Sequence, residues 1–330
     1  MKLGIFSKKS ANNLILAPML QVTTAPFRRF CRKFGNIGLV SVPMLYTKRI
    51  ETHSRTVLRY LHKIEEERPV SVQLIGSDLD ALKSSIDFLE SYKFDVLDIN
   101  AGCPSRRAIK AKEGGYLLKN LDELETLLKT SVKYSSRPVS LKMRTGFNNT
   151  NNIERIADIV NRSGIDFLTI HGRTVKGRYL DSTLDLNTIK KIKSLVKIPV
   201  VGNGNIDGGL TAEKFLEITN VDALMIGRAS MGNPEIFQQI NQYFTKGIEP
   251  NLENSFFKVR KYFKSYEECV DEFLDDVIDM PFSHEKFKFM ELRRNAIWFI
   301  KNIQDSISLR TQISKTKNLE ELHQIINCLN

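Results

Sequence analysis

Long apolar runs and paired cysteines are both missing from this 330-residue chain. No run approaches the roughly 18 apolar residues that a membrane-spanning helix requires, and the apolar part of the first residues is too short for a signal peptide. The four cysteines lie far apart and form no Cys-x-x-Cys pair, which argues against a disulfide framework and against a zinc site. We therefore expect a cytoplasmic protein with no membrane anchor and no metal, and nothing indicates an obligate protein partner.

Basic residues are concentrated in one part of the chain. Residues 1–240 carry 36 basic and 24 acidic side chains, whereas residues 241–330 carry 13 and 14. Three clusters stand out, at residues 28–33, 48–59 and 106–112. Such clusters are typical of a protein that binds a polyanion such as nucleic acid, although solvated helix faces in a lysine-rich chain give the same pattern.

Eight short apolar runs alternate with segments of helical periodicity. Runs that are apolar on both faces and separated by helices indicate parallel strands with right-handed crossovers, and eight such units make a (β/α)8 TIM barrel. A doubly wound sheet is the alternative, but no Gly-x-Gly-x-x-Gly follows the first run. The predicted strands are Leu14–Met19, Gly38–Pro43, Val70–Gly76, Val96–Asn100, Val139–Arg144, Phe167–His171, Pro199–Asn203 and Ala223–Gly227.

The alternation of predicted strands and helices ends near residue 245. We predict a catalytic barrel domain over residues 1–244 and a small C-terminal helical domain over residues 245–330, with a linker at Thr245–Asn254. The predicted helices of the second domain are Phe256–Asp276, Glu285–Ile303 and Leu319–Leu329. The fold class is therefore expected to be an α/β barrel followed by a few helices.

Polar or reactive side chains follow six of the predicted strands. Because a TIM barrel carries its catalytic groups at the C-terminal ends of the strands, this distribution predicts an active site there. Cys103 stands on a turn bounded by Gly102 and Pro104, where we expect it to face a cleft; an inert core thiol is the alternative. The other strand-end residues are Gln73, Asn100, Lys142, Arg144, His171, Arg173, Asn203, Asn205 and Arg228.

Glycine-containing loops follow the last two predicted strands, at residues 202–205 and 227–229. Loops at these positions bind phosphate in TIM barrels, because backbone N–H groups can approach an anion there. Lys142 suits a cofactor that gains negative charge on reduction, and the Gln73 amide can pair with the edge of a heteroaromatic ring. FMN is a cofactor that meets all of these conditions.

The ordered set of motifs resembles the tRNA-dihydrouridine synthases, FMN enzymes that reduce selected uridines of tRNA, over nearly the whole chain. Two segments depart from the family pattern: Leu20–Thr24 stands where the family usually has Ala-Gly-Val-Thr-Asp, and Ser41–Leu45 differs from the commonest bacterial form. The motifs that carry the resemblance are Ala17-Pro18-Met19, Ala25-Pro26-Phe27-Arg28, Val72-Gln73-Leu74, Asn100-Ala101-Gly102-Cys103-Pro104, Lys142-Met143-Arg144, His171-Gly172-Arg173, Gly202-Asn203-Gly204-Asn205 and Gly227-Arg228.

The resemblance implies a role for the matching residues. Cys103 would donate a proton to carbon 5 of the uracil while hydride from reduced flavin adds at carbon 6, with NADPH or NADH as the reductant. The C-terminal helices would bind tRNA. The residues expected to hold FMN are Pro18, Met19, Leu20, Gln73, Lys142, His171, Asn203, Gly204, Asn205, Gly227 and Arg228. Those from which we expect substrate contacts are Asn100, Arg144, Arg173, Arg106, Arg107, Arg293 and Arg294.

Two other functions fit parts of the pattern. A barrel similar to dihydroorotate dehydrogenase, acting on a free pyrimidine, would share the flavin site but would need neither the basic excess nor the helical tail. An RNA-binding protein that has lost its chemistry would have no use for Cys103, Lys142 and His171 together. An absorbance spectrum tests the second alternative, because such a protein would be colourless and would not take up FMN.

Overall fold

The computed structural model describes residues 13–52, 55–249, 255–301, 303 and 305–329. Residues 250–254, which form half of the predicted linker, lie outside the described residues. Within the described part of the chain the strands are β1 (Leu14–Leu16), β2 (Val40–Ser41), β3 (Leu45–Tyr46), β4 (Val70–Ile75), β5 (Val96–Ala101), β6 (Val139–Arg144), β7 (Phe167–His171), β8 (Val200–Asn203) and β9 (Ala223–Ile226).

The strands form a closed parallel barrel. Their hydrogen-bonded order is β1-β9-β8-β7-β6-β5-β4-β2, and β3 also pairs with β4. An isolated parallel bridge between Ile15 and Leu39 joins β1 to the segment before β2 and closes the ring. The predicted TIM barrel is thus confirmed. The second strand is shorter than predicted and is followed by β3, because Pro43 lacks the N–H that a continuous ladder needs.

Helices surround the barrel because each presents an apolar stripe to the sheet. The helix at Ile153–Ser163, for example, buries Ile153, Ile156 and Val160 at helical spacing and ends at Gly164, whose φ of 82° is left-handed. The helices are α1 (Ala25–Phe34), α2 (Thr47–Glu51), α3 (Arg55–Leu61), α4 (Leu79–Glu90), α5 (Arg106–Lys110), α6 (Leu121–Tyr134), α7 (Ile153–Ser163), α8 (Leu186–Leu195), α9 (Gly209–Thr219), α10 (Ile236–Lys246), α11 (Phe256–Asp276), α12 (His284–Phe299), α13 (Ser306–Lys315) and α14 (Leu319–Asn327).

The inside of the barrel is apolar at one end and polar at the other. Val96 and Phe167, at the starts of β5 and β7, belong to a buried apolar cluster inside the ring. Because side chains alternate along a strand, Asp98 and Asn100 point to the same interior face as Val96, but closer to the C-terminal end of β5. The same alternation directs Lys142 of β6 inward, so the polar residues collect at the C-terminal ends of the strands.

The C-terminal helices pack on α1. The ring of Phe30 in α1 lies 5.2 Å from that of Tyr266 in α11 and 5.6 Å from that of Phe299 in α12, measured between ring centroids. Helix α10 continues through Lys246, two residues into the predicted linker. Among the described residues no helix is long and apolar enough to span a membrane, and no group of His, Cys, Asp or Glu side chains there could hold a metal ion.

The basic cluster at residues 28–33 is largely buried, which corrects the interpretation of this cluster as a polyanion-binding surface. Arg28 is 0% exposed and donates to Glu67 at 2.7 Å. Arg29 donates to the other oxygen of Glu67 at 3.3 Å and to Asp276 of α11 at 2.5 Å. Arg32 donates to the carbonyl oxygen of Glu67 at 2.9 Å. These cations therefore hold α1 to its neighbours.

Candidate active site

A cavity of about 690 Å³ opens at the C-terminal ends of the strands. Of the predicted site residues, those that line the cavity are Pro18, Met19, Leu20, Gln73, Asn100, Cys103, Lys142, Arg144, His171, Asn203, Gly204, Asn205, Gly227 and Arg228. Those that do not line it are Arg106, Arg107, Arg173, Arg293 and Arg294. All the residues expected to hold FMN therefore share one cavity with the expected proton donor.

Asn100 holds the turn that carries Cys103. Its Oδ1 accepts the backbone N–H groups of Gly102 and Cys103, each at 3.0 Å. Gly102 is not left-handed, so the turn depends on this side chain and not on the conformational freedom of the glycine. A glycine is needed behind the turn at Gly114, where φ is 58° and a Cβ would lie 3.0 Å from the Cβ of Cys103.

A buried carboxylate lies beside the amide expected to contact the cofactor ring. Gln73 donates from Nε2 to Asp98 at 2.6 Å, and Ser140 donates its hydroxyl to the other oxygen of Asp98 at 2.6 Å. Asn100 donates from Nδ2 to the Oε1 of Gln73 at 2.7 Å. Burial raises the pKa of Asp98 to about 6, while its hydrogen bonds and the charge of Lys142 lower it. Sequence reasoning did not include Asp98 in the site.

Lys142 is a half-buried cation on the cavity wall. Its Nζ lies 3.5 Å from the Oδ1 of Asn203, whose Nδ2 donates to the carbonyl oxygen of Met225 at 2.7 Å. Burial lowers the pKa of Lys142 to about 8, the charge of Asp98 opposes this shift, and that of Arg144 adds to it. An anion that enters the cavity therefore stabilises the charged form of Lys142.

His171 carries an N–H that has no partner. Arg173 can only donate, so the Nε2 of His171, 3.4 Å from its guanidinium, accepts, and the neutral ring has its proton on Nδ1. Burial, together with the surrounding cations, Lys142 first among them, lowers the pKa of His171 to about 2. The Nδ1 is buried and makes no hydrogen bond within the described residues. It is therefore an unpartnered buried donor of a residue that lines the cavity.

The loop after β7 brings an aromatic ring to the cavity that sequence reasoning missed. Tyr179 is 56% exposed, and the guanidinium groups of Arg144 and Arg228 lie 5.2 and 5.5 Å from its ring centroid. Arg144 also donates to the carbonyl oxygen of Gly102 at 2.9 Å, which braces the Cys103 turn. The length of this loop could have indicated a functional role, since most loops in α/β barrels are shorter.

Arg173 holds the loop after β7 from its buried side. It is 0% exposed and donates to Asp181 at 2.9 Å, to Asn205 at 3.1 Å and to the carbonyl oxygen of Leu180 at 2.8 Å. Asn205 has a left-handed φ of 50° and donates to Asp181 at 2.9 Å. The loops after β7 and β8 are thus fastened to each other beside the cavity.

The remaining predicted cations lie in two places. Arg106 and Arg107 are exposed on α5, which begins directly after the Cys103 turn, and Arg107 lies 4.3 Å above the Tyr46 ring. Arg293 donates to the carbonyl oxygen of Thr316, and Arg294 pairs with Glu291, so both are engaged within the helical region. From that region Lys301, just beyond α12, also lines the cavity.

Comparison with known proteins shows the family of this chain. A family model for dihydrouridine synthase (Dus) matches residues 15–329. A tRNA-dihydrouridine synthase B of Vibrio vulnificus is 39% identical over 75% of this chain and 76% of that protein. One of Pseudomonas syringae is 32% identical over 94% of this chain and 88% of that protein. The resemblance carried by the motifs is therefore confirmed, and the chain belongs to the dihydrouridine synthase family.

Proposed function

We propose that this protein reduces uridines of tRNA to 5,6-dihydrouridine, with FMN as the flavin and NADPH or NADH as the reductant. One observation carries the proposal: Cys103 lines the same cavity as Lys142, His171 and Arg228. This arrangement combines a proton donor with an anion-binding site for a cofactor. The names of the relatives, which are tRNA-dihydrouridine synthases, support tRNA as the substrate.

The residues present fit FMN. The guanidinium of Arg228 lines the cavity and can donate to phosphate or ribityl oxygens, and His171, whose Nδ1 has no partner among the described residues, lies in the same wall. Gly204 lies in the loop after β8 with a φ of 141°, and a Cβ there would lie 2.7 Å from Leu184, so this close-packed loop requires glycine. Lys142 and Gln73 would contact the ring, and Pro18, Met19 and Leu20 would line the cavity beside it.

The chemistry at the base needs one hydride and one proton. When bound, reduced FMN would supply the hydride that adds at carbon 6 of the uracil and would itself be oxidised. Cys103 would donate its thiol proton to carbon 5, so the carbon–carbon double bond becomes single and the thiolate is left to be reprotonated from solvent. Asn100 fixes the backbone of Cys103 through the two N–H bonds to its Oδ1, and this orients the acid.

A tRNA uridine must leave its stack to reach this cavity. Arg144 and Tyr179 are positioned at the cavity to contact the extracted nucleotide, and Arg106 and Arg107 are exposed beside the Cys103 turn for phosphate contacts. Arg173 would act on the substrate only through the loop residues that it holds. We assign residues 245–330 to tRNA binding, with Arg293 and Arg294 contributing, and expect the protein to act in the cytoplasm, where it would meet tRNA.

A free pyrimidine is the less favoured substrate. The helices after α10 pack on α1 and bring Lys301 to the cavity, which a barrel acting on a free base would not require. Family membership also favours RNA over a free pyrimidine, and it argues against a relative without chemistry.

The test is a reaction with defined components. The purified chain is loaded with FMN, supplied with NADPH or NADH, and incubated with unmodified tRNA transcripts and, separately, with orotate and uracil. We expect a yellow protein and dihydrouridine in tRNA only, detected by mass spectrometry of nucleosides. A protein that does not bind FMN, or that reduces only the free bases, would overturn the proposal.

A further inference from the structure

A continuous chain of hydrogen bonds joins the buried Asp98 to the turn that carries Cys103. Ser140 and Gln73 donate to the two carboxylate oxygens of Asp98, each at 2.6 Å. Asn100 donates to the Oε1 of Gln73 at 2.7 Å and accepts the backbone N–H of Cys103 at 3.0 Å. We call this chain the Asp98 relay. It links a residue that does not line the cavity to two that do, Gln73 and Asn100, and to the backbone N–H of Cys103.

Every bond of the Asp98 relay has only one possible direction. The backbone N–H of Cys103 can only donate, so Asn100 must present its oxygen to the turn and its NH₂ group to Gln73. Gln73 therefore presents its oxygen to Asn100 and its NH₂ group to Asp98. An ionised carboxylate can only accept, so it completes the chain without conflict. The orientation of the Gln73 amide is thus determined at both ends.

We propose that Asp98 is a positioning residue for the reaction, because it fixes which edge of Gln73 faces the cavity and holds the Cys103 turn through Asn100. The inference rests on the proposed function, in which Gln73 contacts the flavin ring and Cys103 protonates the base. It adds that a single carboxylate sets the geometry of both groups. An apolar residue at this position would leave the Gln73 amide held only by Asn100 and would loosen the Cys103 turn.

The burial of Asp98 supports this role over a purely structural one. The side chain is 5% exposed and makes no direct ion pair with another described residue, although the charge of Lys142 on β6 acts on it. A well-packed apolar residue stabilises a core at least as well as a buried charge does. A carboxylate that only filled space would therefore be a poor choice, whereas orienting the Gln73 amide requires an acceptor oxygen opposite its Nε2.

Three variants of the full chain loaded with FMN test the inference. Asp98→Leu keeps the approximate size and removes both acceptors. Asp98→Asn keeps an acceptor for Gln73, and its NH₂ group can donate to the oxygen of Ser140. Ser71→Ala is the matched control, because Ser71 is a buried hydroxyl of β4 that bonds to Ser41 and not to the Asp98 relay.

Two quantities are measured: the rate of uridine reduction in a single turnover and the visible absorption spectrum of the bound flavin. Asp98→Leu should slow uridine reduction in single-turnover experiments by about 10²-fold, as expected for a displaced reacting group, and should shift the visible absorption of bound flavin. Asp98→Asn should restore most of the rate and the wild-type spectrum, and Ser71→Ala should match the wild type. Uridine reduction by Asp98→Leu within about twofold of wild type, or equal losses in Asp98→Leu and Asp98→Asn with unchanged flavin spectra, would overturn the inference.

Two further results keep the test decisive. If Asp98→Leu does not fold, Ser140→Ala removes one bond to the carboxylate and should slow uridine reduction by about 3- to 10-fold; an unchanged rate would count against the relay. If the wild-type protein binds flavin but forms no dihydrouridine, the proposed function fails. The flavin spectra of the Asp98 variants still test the orientation of Gln73 in that case.

Discussion

The thiol of Cys103 donates to the hydroxyl oxygen of Ser105 at 3.4 Å, and the same oxygen accepts the N–H of Ala108 in the first turn of α5. Ser105 is therefore both the N-cap of α5 and the hydrogen-bond partner of the thiol. A weak bond of this kind directs the thiol hydrogen toward Ser105. The helix that carries Arg106 and Arg107 is thus anchored at the proposed acid.

Replacing Cys103 should separate the two half-reactions. In Cys103→Ala, FMN binding, tRNA binding and flavin reduction by NADPH should be retained, because the acid does not act in them. Formation of dihydrouridine should fall by about 10²- to 10⁴-fold, the usual contribution of a general acid. Cys328→Ala, at an exposed cysteine, is the control. Dihydrouridine is measured by mass spectrometry of nucleosides. Near-normal turnover of tRNA by Cys103→Ala would show that Cys103 is not the proton donor.

Flavin affinity should depend on pH through Lys142. Its pKa is lowered to about 8 by burial, so the side chain is charged below that pH and neutral above it. FMN affinity of the apoprotein, measured by fluorescence titration, should therefore fall as the pH rises through 8. Lys142→Arg should remove this fall, since arginine stays charged. Arg228→Ala should weaken binding at every pH and keep the fall. A flat pH profile in the wild type would show that the charge of Lys142 does not hold the flavin.

The salt dependence of tRNA binding should report the cations of α5. Replacing both Arg106 and Arg107 by Gln should reduce the slope of log affinity against log salt by about one unit for each lost phosphate contact, while FMN stays bound. Lys190→Gln, at an exposed lysine of α8 outside the cavity, is the control. If the slope does not change, and removal of residues 245–330 abolishes binding, the helical region is the main RNA-binding surface.

Gln21 occupies a position that favours glycine. Its φ is 61°, in the left-handed region, and it is exposed in the middle of the β1–α1 loop, at a position where the family usually has Gly. Gln21→Gly should raise the free energy of unfolding by about 0.5–1 kcal/mol, because loss of the Cβ strain outweighs the added freedom of the unfolded chain. Gln21→Ala should give no gain. Urea denaturation measures both, and a less stable Gln21→Gly would contradict the expectation.

The barrel could be predicted from the sequence because its signals are local. Each strand is a short apolar run, and the bounds of β6 and β7 match the predicted runs at both ends. The closure of the ring could not be predicted in detail. It depends on one isolated bridge between Ile15 and Leu39, and no local pattern marks such a pair.

The cavity wall was predictable for a similar reason. Alternation along β5 and β6 directs Asn100 and Lys142 to the same face. Polar residues at the strand ends are therefore close to one another in space. The burial of Arg28 and Arg29 was not predictable, because their acidic partners are remote in the chain. Glu67 follows Arg28 by 39 positions, and Asp276 follows Arg29 by 247.

The ion pairs of Arg29 also limit which segments of the chain can be exchanged with those of a relative. Arg29 is 4% exposed and divides its guanidinium between Glu67, before β4, and Asp276, at the end of α11. A chimera whose C-terminal helices carry no carboxylate at the position of Asp276 would leave this buried cation without one of its two carboxylate partners. The smallest unit that can be exchanged intact is therefore discontinuous in sequence: it joins the terminal helices to α1 and the Glu67 segment.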